Sequence, residues 1–278
     1  MSELAKQYRT ALVTGASTGL GRAMAGMLLD EGVRVWGTAR EPSRLPVREG
    51  LTALALDLRS DASVDTAWAE ADRAAGGFDL VVNNAGYGLF GTFADKDFIE
   101  WQHQLDAMLV RTMRLTHLAI RGMLARNRGA VVNVASLAAE FPLPFMSAYN
   151  VVKAGLAAFS ESLMIEVAGT GVIVIDFRPG DYRTDFNQTM QAKSEMLGVL
   201  GAPRALRQQR TWAVLEANLQ AAPAPARAAM DLRRALGRGR SGTVRSGTLF
   251  QARLAPLLAR LAPLRVRRAI AARYFGCS

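Results

Sequence analysis

The stretch Thr14-Gly15-Ala16-Ser17-Thr18-Gly19-Leu20-Gly21 constrains what this 278-residue chain can fold into more than any other. It follows Ala11-Leu12-Val13, an apolar run that reads as a short buried strand. It precedes an amphipathic helical pattern carrying Met24, Met27, Leu28 and Leu29 and ending near Gly32. Glycines in such a turn let the backbone approach a pyrophosphate, and the helix that follows offers free N–H groups and the positive end of its dipole. The spacing here is Gly-x-x-x-Gly-x-Gly rather than the commoner Gly-x-Gly-x-x-Gly.

Five further strands are expected downstream, the last of them over 172–177. Residues 33–38 form the second and lead into Ala39-Arg40. Folds that select NAD usually place an acid here for the ribose hydroxyls. That acid is missing, and Arg40 stands where a 2′-phosphate would need a cation, so NADP(H) is the expected cofactor and NAD(H) the alternative. Residues 54–56 form the third strand, with Asp57 at its carboxyl end, and a helix over 61–75 is capped by Ser60 or Asp61. The fourth strand, 80–82, runs into Asn83-Asn84-Ala85-Gly86, and the fifth starts at Gly129 and ends at Ser136.

Ser136, Tyr149 and Lys153 form the chemical constellation. Tyr149 and Lys153 are four residues apart, so on a helix over 147–168 they emerge from one face. Ser136 lies thirteen residues before the tyrosine, at the tip of the strand Val131-Val132-Asn133-Val134. A hydroxyl, a phenol and an ammonium together suit proton transfer at a carbonyl or alcohol oxygen. A free phenol has a pKa of about 10, and the Lys153 cation is expected to lower it. The insert Phe141-Pro142-Leu143-Pro144-Phe145-Met146 is apolar and stiffened by proline, as the wall of a hydrophobic substrate pocket would be.

TGASTGLG, the aspartate of LDL, NNAG, the Ser136 strand end, YNVVK, and Pro179-Gly180 with Thr184 stand in one order and spacing over about two thirds of the chain. In this the sequence resembles the short-chain dehydrogenase/reductase family. The resemblance implies a Rossmann-like α/β fold, a doubly wound parallel sheet with helices on both faces, and an NAD(P) cofactor. It implies that Gly15, Gly19 and Gly21, with Ser17, Thr18 and Leu20 between them, hold the pyrophosphate. Asp57, with Leu58 beside it, would meet the adenine, and Asn84, Ala85 and Gly86 would shape the floor beneath adenosine and nicotinamide. Lys153 would bond the nicotinamide ribose, Pro179-Gly180 would turn the chain over the cofactor, and Thr184 would meet the carboxamide. Tyr149 would be the general acid for reduction and Ser136 would orient the substrate. One departure stands out. The family usually places an asparagine about 28 residues before the serine to support a proton-relay water, and that position here is Met108, with Thr112 the nearest substitute. A thioether is a poor hydrogen-bond partner, so a dinucleotide-binding sensor or partner protein with weak or no catalysis is the second reading.

From Asp185 the pattern weakens. Phe186, Met190, Met196, Leu197, Leu200, Trp212 and Leu215 are spaced like helices over the active site, and AAPAPA at 221–226 reads as a connector. The expected organisation is a catalytic core over 1–184, a lid over 185–226 and a helical C-terminal extension over 227–278. Beyond Leu200 fifteen arginines face only Glu216 and Asp231, so the formal net charge of +10 resides in the C-terminal part. There RLAPL occurs twice, from Arg253 and from Arg260. Such basic amphipathic helices suit a membrane surface or an acidic partner. The favoured expectation is a structural pair with leucines packed on the body and arginines in water.

Several classes are excluded. No run reaches the roughly 18 apolar residues of a membrane span, and the N-terminus shows no secretory h-region. Cys277 is the only cysteine, so no internal disulfide forms and a reducing, cytoplasmic compartment is expected. With that cysteine and only His103 and His117, no metal site of His and Cys is expected. No spaced aromatic pattern suggests single-stranded nucleic acid, and Ser136 lacks the Gly-x-Ser-x-Gly elbow of a hydrolase. The apolar face of the 147–168 helix suits the sheet or a second subunit, so a homo-oligomer, dimer or tetramer, is expected. The function expected is an oxidoreductase interconverting a ketone or aldehyde and an alcohol on a hydrophobic small molecule.

Overall fold

The computed structural model describes residues 2–186, 190 and 202–277. Seven strands lie parallel in the order β3-β2-β1-β4-β5-β6-β7: β1 Thr10–Val13, β2 Arg34–Ala39, β3 Leu51–Ala55, β4 Leu80–Asn83, β5 Gly129–Val134, β6 Val172–Pro179 and β7 Gly242–Ser246. The order reverses between β1 and β4, which opens a crevice at the carboxyl ends of these two strands. The strands read as near-continuous apolar runs because a parallel sheet is covered on both faces. Their side chains alternate between two cores. Ala11 and Val13 of β1, Val132 of β5 and Ile175 of β6 face one, and Leu12, Val131 and Val174 face the other.

The first core is closed by α2 (Gly19–Asp30), through Met24 and Leu28, and by a later helix, Pro225–Gly237, through Ala228, Leu232 and Leu236. The second is closed by α3 (Asp61–Ala75), α5 (Arg111–Ala125) and α6 (Ser147–Glu166), through Val64, Leu115 and Leu163. The ends of α3 follow local chemistry: the Ser60 side chain accepts from the Ser63 N–H, and Gly76 closes the helix in the left-handed region at φ 71°. Among the described residues the remaining α-helices are α1 (Glu3–Gln7), α4 (Phe98–Leu105), α7 (Ala202–Gln220), α8, which is the Pro225–Gly237 helix, α9 (Ala255–Leu261) and α10 (Leu264–Tyr274).

Three expectations change. The third strand lies earlier, at Leu51–Ala55, so Asp57 sits in the turn beyond it. β5 stops at Val134, and Ser136 instead caps a short 3-10 turn, Leu137–Ala139, accepting from the Ala138 N–H at 3.0 Å. In the basic C-terminal part, where only helices were expected, β7 pairs with β6 from Ile175↔Gly242 to Pro179↔Ser246. Its sequence Gly-Thr-Val-Arg-Ser is short and polar, and only its pairing makes it a strand.

Two buried polar systems tie the strands together beneath the crevice. Asn83 donates to Thr116 at 2.8 Å and to Asn133 at 2.9 Å, and Asn133 donates in turn to Ser160 at 2.9 Å. This chain links β4, β5, α5 and α6 at the level of the site. Further along β6, Arg178 is 7% exposed and pairs with Asp176 at 2.6 Å, Glu140 at 2.8 Å and Glu161 at 2.9 Å.

Candidate active site

The glycine turn lies at the β1 end of the crevice, and its geometry admits nothing larger than glycine at three points. Gly15 and Gly19 take φ of 66° and 53°, in the left-handed region. A Cβ at Gly21 would lie 2.2 Å from the Gly15 carbonyl oxygen and 2.4 Å from Asn84 Nδ2. The turn is held from both sides. Ala16 N–H donates to the Thr38 carbonyl at 2.9 Å, and Asn84 Nδ2 donates to the Thr14 carbonyl at 2.9 Å. Thr14 Oγ1 accepts from the N–H groups of Asn84 and Ala85 at 2.9 and 3.0 Å. Thus β4 and its Asn84-Ala85-Gly86 continuation support the turn. Thr18 precedes α2 without a side-chain cap bond, which leaves the first-turn N–H groups of a twelve-residue helix available to an anion. Ser17 and Leu20 are half-buried within the turn, and Thr184 packs against Gly19, its Cβ 3.3 Å from where a Gly19 Cβ would lie.

These features fit a dinucleotide pyrophosphate, on the cradle that only glycine permits and on the uncapped helix end. Gly21→Ala is accordingly expected to abolish dinucleotide binding and to lower the melting temperature, because its Cβ meets backbone rather than a movable side chain. Dye-monitored melting with and without NADPH measures both effects. Wild-type binding by the variant would show that the cradle is not used.

Arg40 is exposed immediately after β2. Asp57 is engaged by its neighbour Arg59, whose Nη2 lies 2.7 Å from Oδ2, and this pair holds the carboxyl below the usual aspartate range. Arg40 adds a smaller lowering effect, so Arg40 and Arg59 set a positive field around Asp57. Arg59 was not singled out in the sequence, nor were Arg22 and Arg183, which line a cleft of about 370 Å³ with Gly19 and Thr184. Leu58 is half-buried and packs against the edges of two apolar clusters beneath.

Ser136, Tyr149 and Lys153 meet at the carboxyl ends of β5 and β6. Tyr149 and Lys153 share one face of α6, with Lys153 Nζ 5.5 Å from the Tyr149 ring centre. Lys153 is buried and its Nζ donates to the Val134 carbonyl at 2.8 Å. The Ser136 hydroxyl donates to the Pro179 carbonyl at 3.4 Å and lies near enough to the Tyr149 phenol to favour its ionised form. Gly180, next along, bonds the Ser246 carbonyl of β7 at 2.7 Å, so the Pro179-Gly180 turn is fixed by the seventh strand.

The electrostatics differ from the expectation. Burial pushes the Tyr149 phenol up to about 12, with Ser136 opposing and Asp181 reinforcing the shift. Lys153 does not offset that burial, and its own pKa is brought down to about 8 by burial against the support of Asp176. In the protein alone the phenol therefore stays protonated at neutral pH, the state a proton donor requires. Asp181 is a further residue the sequence did not reveal: its Oδ2 accepts from Gln251 Nε2 at 2.6 Å, and burial raises its carboxyl.

Apolar side chains close over the phenol. Phe186 lies 5.7 Å from the Tyr149 ring, and Leu143, Phe145, Met146, Met190, Trp212 and Leu215 belong to the same cluster. Expected lid residues Met196, Leu197 and Leu200 lie outside the described residues. Met108 is 2% exposed in a π-helical turn, Asp106–Val110, between α4 and α5. Its Sδ accepts from the Tyr87 N–H at 3.3 Å, and it packs with Ala135, Val152 and Tyr149. Methionine thus caps a backbone N–H and fills an apolar space here, while Thr112 is buried at the start of α5.

Known proteins resemble this chain in sequence and fold. A family model described as short chain dehydrogenase matches residues 9–195. The sequence is 30% identical over 210 residues to a 3-oxoacyl-[acyl-carrier-protein] reductase, FabG, of Vibrio cholerae, covering 71% of this chain and 86% of that protein. A short-chain dehydrogenase from Streptomyces avermitilis superposes with a TM-score of 0.79 at 28% identity, over 99% of this chain and 97% of that one. A variant of actinorhodin polyketide ketoreductase, solved with NADPH, reaches 0.71 at 25% identity, over 88% and 98%. From the seven-stranded parallel sheet to the family match across the glycine turn and the Ser136, Tyr149 and Lys153 positions, the chain is an oxidoreductase of the short-chain dehydrogenase family.

Proposed function

We propose that this protein is an NADP(H)-dependent oxidoreductase that interconverts a ketone or aldehyde and an alcohol on a hydrophobic small molecule. The observation that carries this reading is the Tyr149 phenol, protonated, beside Ser136 and within the apolar cluster of Phe186, Phe145, Met146 and Trp212. The bound dinucleotide would supply the hydride. Tyr149 gives its proton to the carbonyl oxygen of the substrate, Ser136 orients that oxygen, and Lys153 holds the ribose side of the site. Gly15, Gly19 and Gly21 with Asn84 cradle the pyrophosphate, and Thr184 lies at the carboxamide end. The names of two similar proteins, the 3-oxoacyl-[acyl-carrier-protein] reductase FabG and actinorhodin polyketide ketoreductase, support carbonyl reduction. Measuring NADPH oxidation with a panel of aliphatic, aromatic and polycyclic ketones tests the reading. Tight NADPH binding without turnover of any carbonyl would favour the second reading, a dinucleotide-binding sensor, to which Met108 in the asparagine position lends support.

The NADP preference rests on Arg40, with Arg59 beside it. A charge-assisted phosphate contact typically contributes about 1.5–3 kcal/mol, roughly tenfold or more in affinity. Arg40→Ala is therefore expected to weaken NADPH binding about tenfold and leave NADH binding nearly unchanged. Titration of both nucleotides by cofactor fluorescence checks it, and equal affinities in the unaltered protein would refute the preference. Exposed Val110, Met113 and Val151 on and beside α5 and α6 support a homo-oligomer.

A further inference from the structure

We propose that the C-terminal helices α9 and α10 dock this protein peripherally on an anionic lipid bilayer. The expectation that their leucines pack on the body is not met. Leu254, Leu257 and Leu261 are exposed, the last by 75%. On α10, Leu264, Val266 and Ile270 are exposed as well, and α10 buries no residue of its own. The spacings of three and four residues put Leu254, Leu257 and Leu261 on one side of the first helical segment, and Val266 and Ile270 on one side of the second. Soluble proteins seldom present so many large aliphatic side chains in one short stretch without a partner for them.

Charge identifies the partner. From Leu249 to the end of the sequence there are six arginines and no acid. Arg253, Arg265, Arg268 and Arg273 are exposed, and among the described residues none of them forms an ion pair. A second copy meeting this face through a two-fold axis would set the same arginines against each other. A nucleic acid would neutralise the arginines but offers no apolar phase for leucine, valine and isoleucine. The surface of an anionic bilayer offers both, headgroup phosphates for guanidinium groups and acyl chains for the aliphatic side chains. No described helix is long and apolar enough to cross a membrane, so the contact is made at the surface.

The platform is anchored rather than loose. Arg267 donates to the Glu140 carbonyl at 3.1 Å, Asn218 Nδ2 donates to Tyr274 Oη at 2.9 Å, and Thr211 Oγ1 donates to the Phe275 carbonyl at 2.9 Å. Phe275 is buried in the apolar cluster that contains Tyr149 and Trp212. The docking face therefore continues into the wall of the candidate site, and a docked molecule would stand with that apolar cluster near the lipid.

The test uses the full chain and vesicles of phosphatidylcholine, alone or with a third of phosphatidylserine, in a flotation assay. Binding to the anionic vesicles only is expected, weakening at least tenfold as salt rises from about 0.05 to 0.5 M and the Debye length shrinks. Arg265→Glu with Arg268→Glu should abolish binding. Leu264→Gln with Ile270→Gln should weaken it at least tenfold. Both variants change exposed side chains, so unchanged melting and NADPH binding confirm that the fold persists, and the assay needs no turnover, which keeps it independent of the proposed reaction. Equal binding to neutral vesicles, no binding to anionic vesicles at low salt, or undiminished binding by both variants would each overturn the proposal. A variant that instead loses an oligomer seen by light scattering, with vesicle binding intact, would also overturn it and assign the face to a second copy.

Discussion

Replacement of Tyr149 by Phe is expected to lower ketone reduction by about 10²–10⁴-fold, the contribution typical of a positioned general acid, while NADPH binding survives. Phenylalanine keeps the ring that packs 5.7 Å from Phe186 and fills the cluster over the site, so the fold and the cofactor cradle are spared. Only the phenolic hydroxyl beside Ser136 is lost. Steady-state rates beside a fluorescence titration of NADPH separate the two effects. Retention of more than about a tenth of the wild-type rate, well above the residual activity expected on losing a general acid, would remove Tyr149 from that role. The pH dependence has a definite sign. With the phenol pushed up to about 12, the protonated form needed for reduction dominates at neutral pH. The phenolate needed for alcohol oxidation becomes more abundant as pH rises, so oxidation should accelerate toward alkaline pH over a range where reduction does not.

Arg178→Met should be the most damaging substitution for stability. Its guanidinium answers Asp176, which is fully buried, and also Glu140 and Glu161. Removing one partner of a buried ionic group typically costs about 3–5 kcal/mol, because the remaining charge is left without compensation. Burial already raises the Asp176 carboxyl, and Arg178 is the largest influence that lowers it. Without the arginine that pKa must rise further. A raised carboxyl binds its proton more tightly in the folded state, so its penalty on folding is absent below the unfolded pKa and grows as pH rises through the folded one. The variant should thus lose least stability at acidic pH and most at neutral pH, and adding Asp176→Asn should restore part of the loss. Urea unfolding at several pH values measures this, and a loss under about 1 kcal/mol at neutral pH, the range of exposed pairs, would show that the cluster is solvated.

Both outcomes bear on the site, because Arg178 adjoins Pro179, whose carbonyl accepts from Ser136, and Asp176 is the group that supports the Lys153 cation. A loosened β6 should therefore disturb the serine and the lysine together. The same logic explains why β7, though short and polar, matters: it holds Gly180 through the Ser246 carbonyl.

The sequence by itself determined the parts of this protein that depend on spacing along the chain. A helix repeats every 3.6 residues, so Tyr149 and Lys153 had to share a face. Parallel strands covered on both sides had to read as apolar runs, and the turn from Gly15 to Gly21 had to be glycine wherever a Cβ would strike backbone. Even the capped helix Asp61–Ala75 was legible from Ser60. Tertiary structure decided everything that depends on what lies across space. Desolvation set both pKa values, raising the Tyr149 phenol and lowering the Lys153 ammonium, where the sequence pointed only to the cation's effect on the phenol. Asn83, Asn133 and Ser160 became a network only when three elements met, and Asp181, Gln251, Arg59 and Arg183 acquired neighbours no motif could name. The leucines after Leu249 show the same limit. Their helical spacing was visible in the chain, but periodicity states which side chains share a face and not what covers that face. Only the folded body, whose core is already closed by α8 and β7, left Leu254, Leu257, Leu261 and Leu264 in solvent.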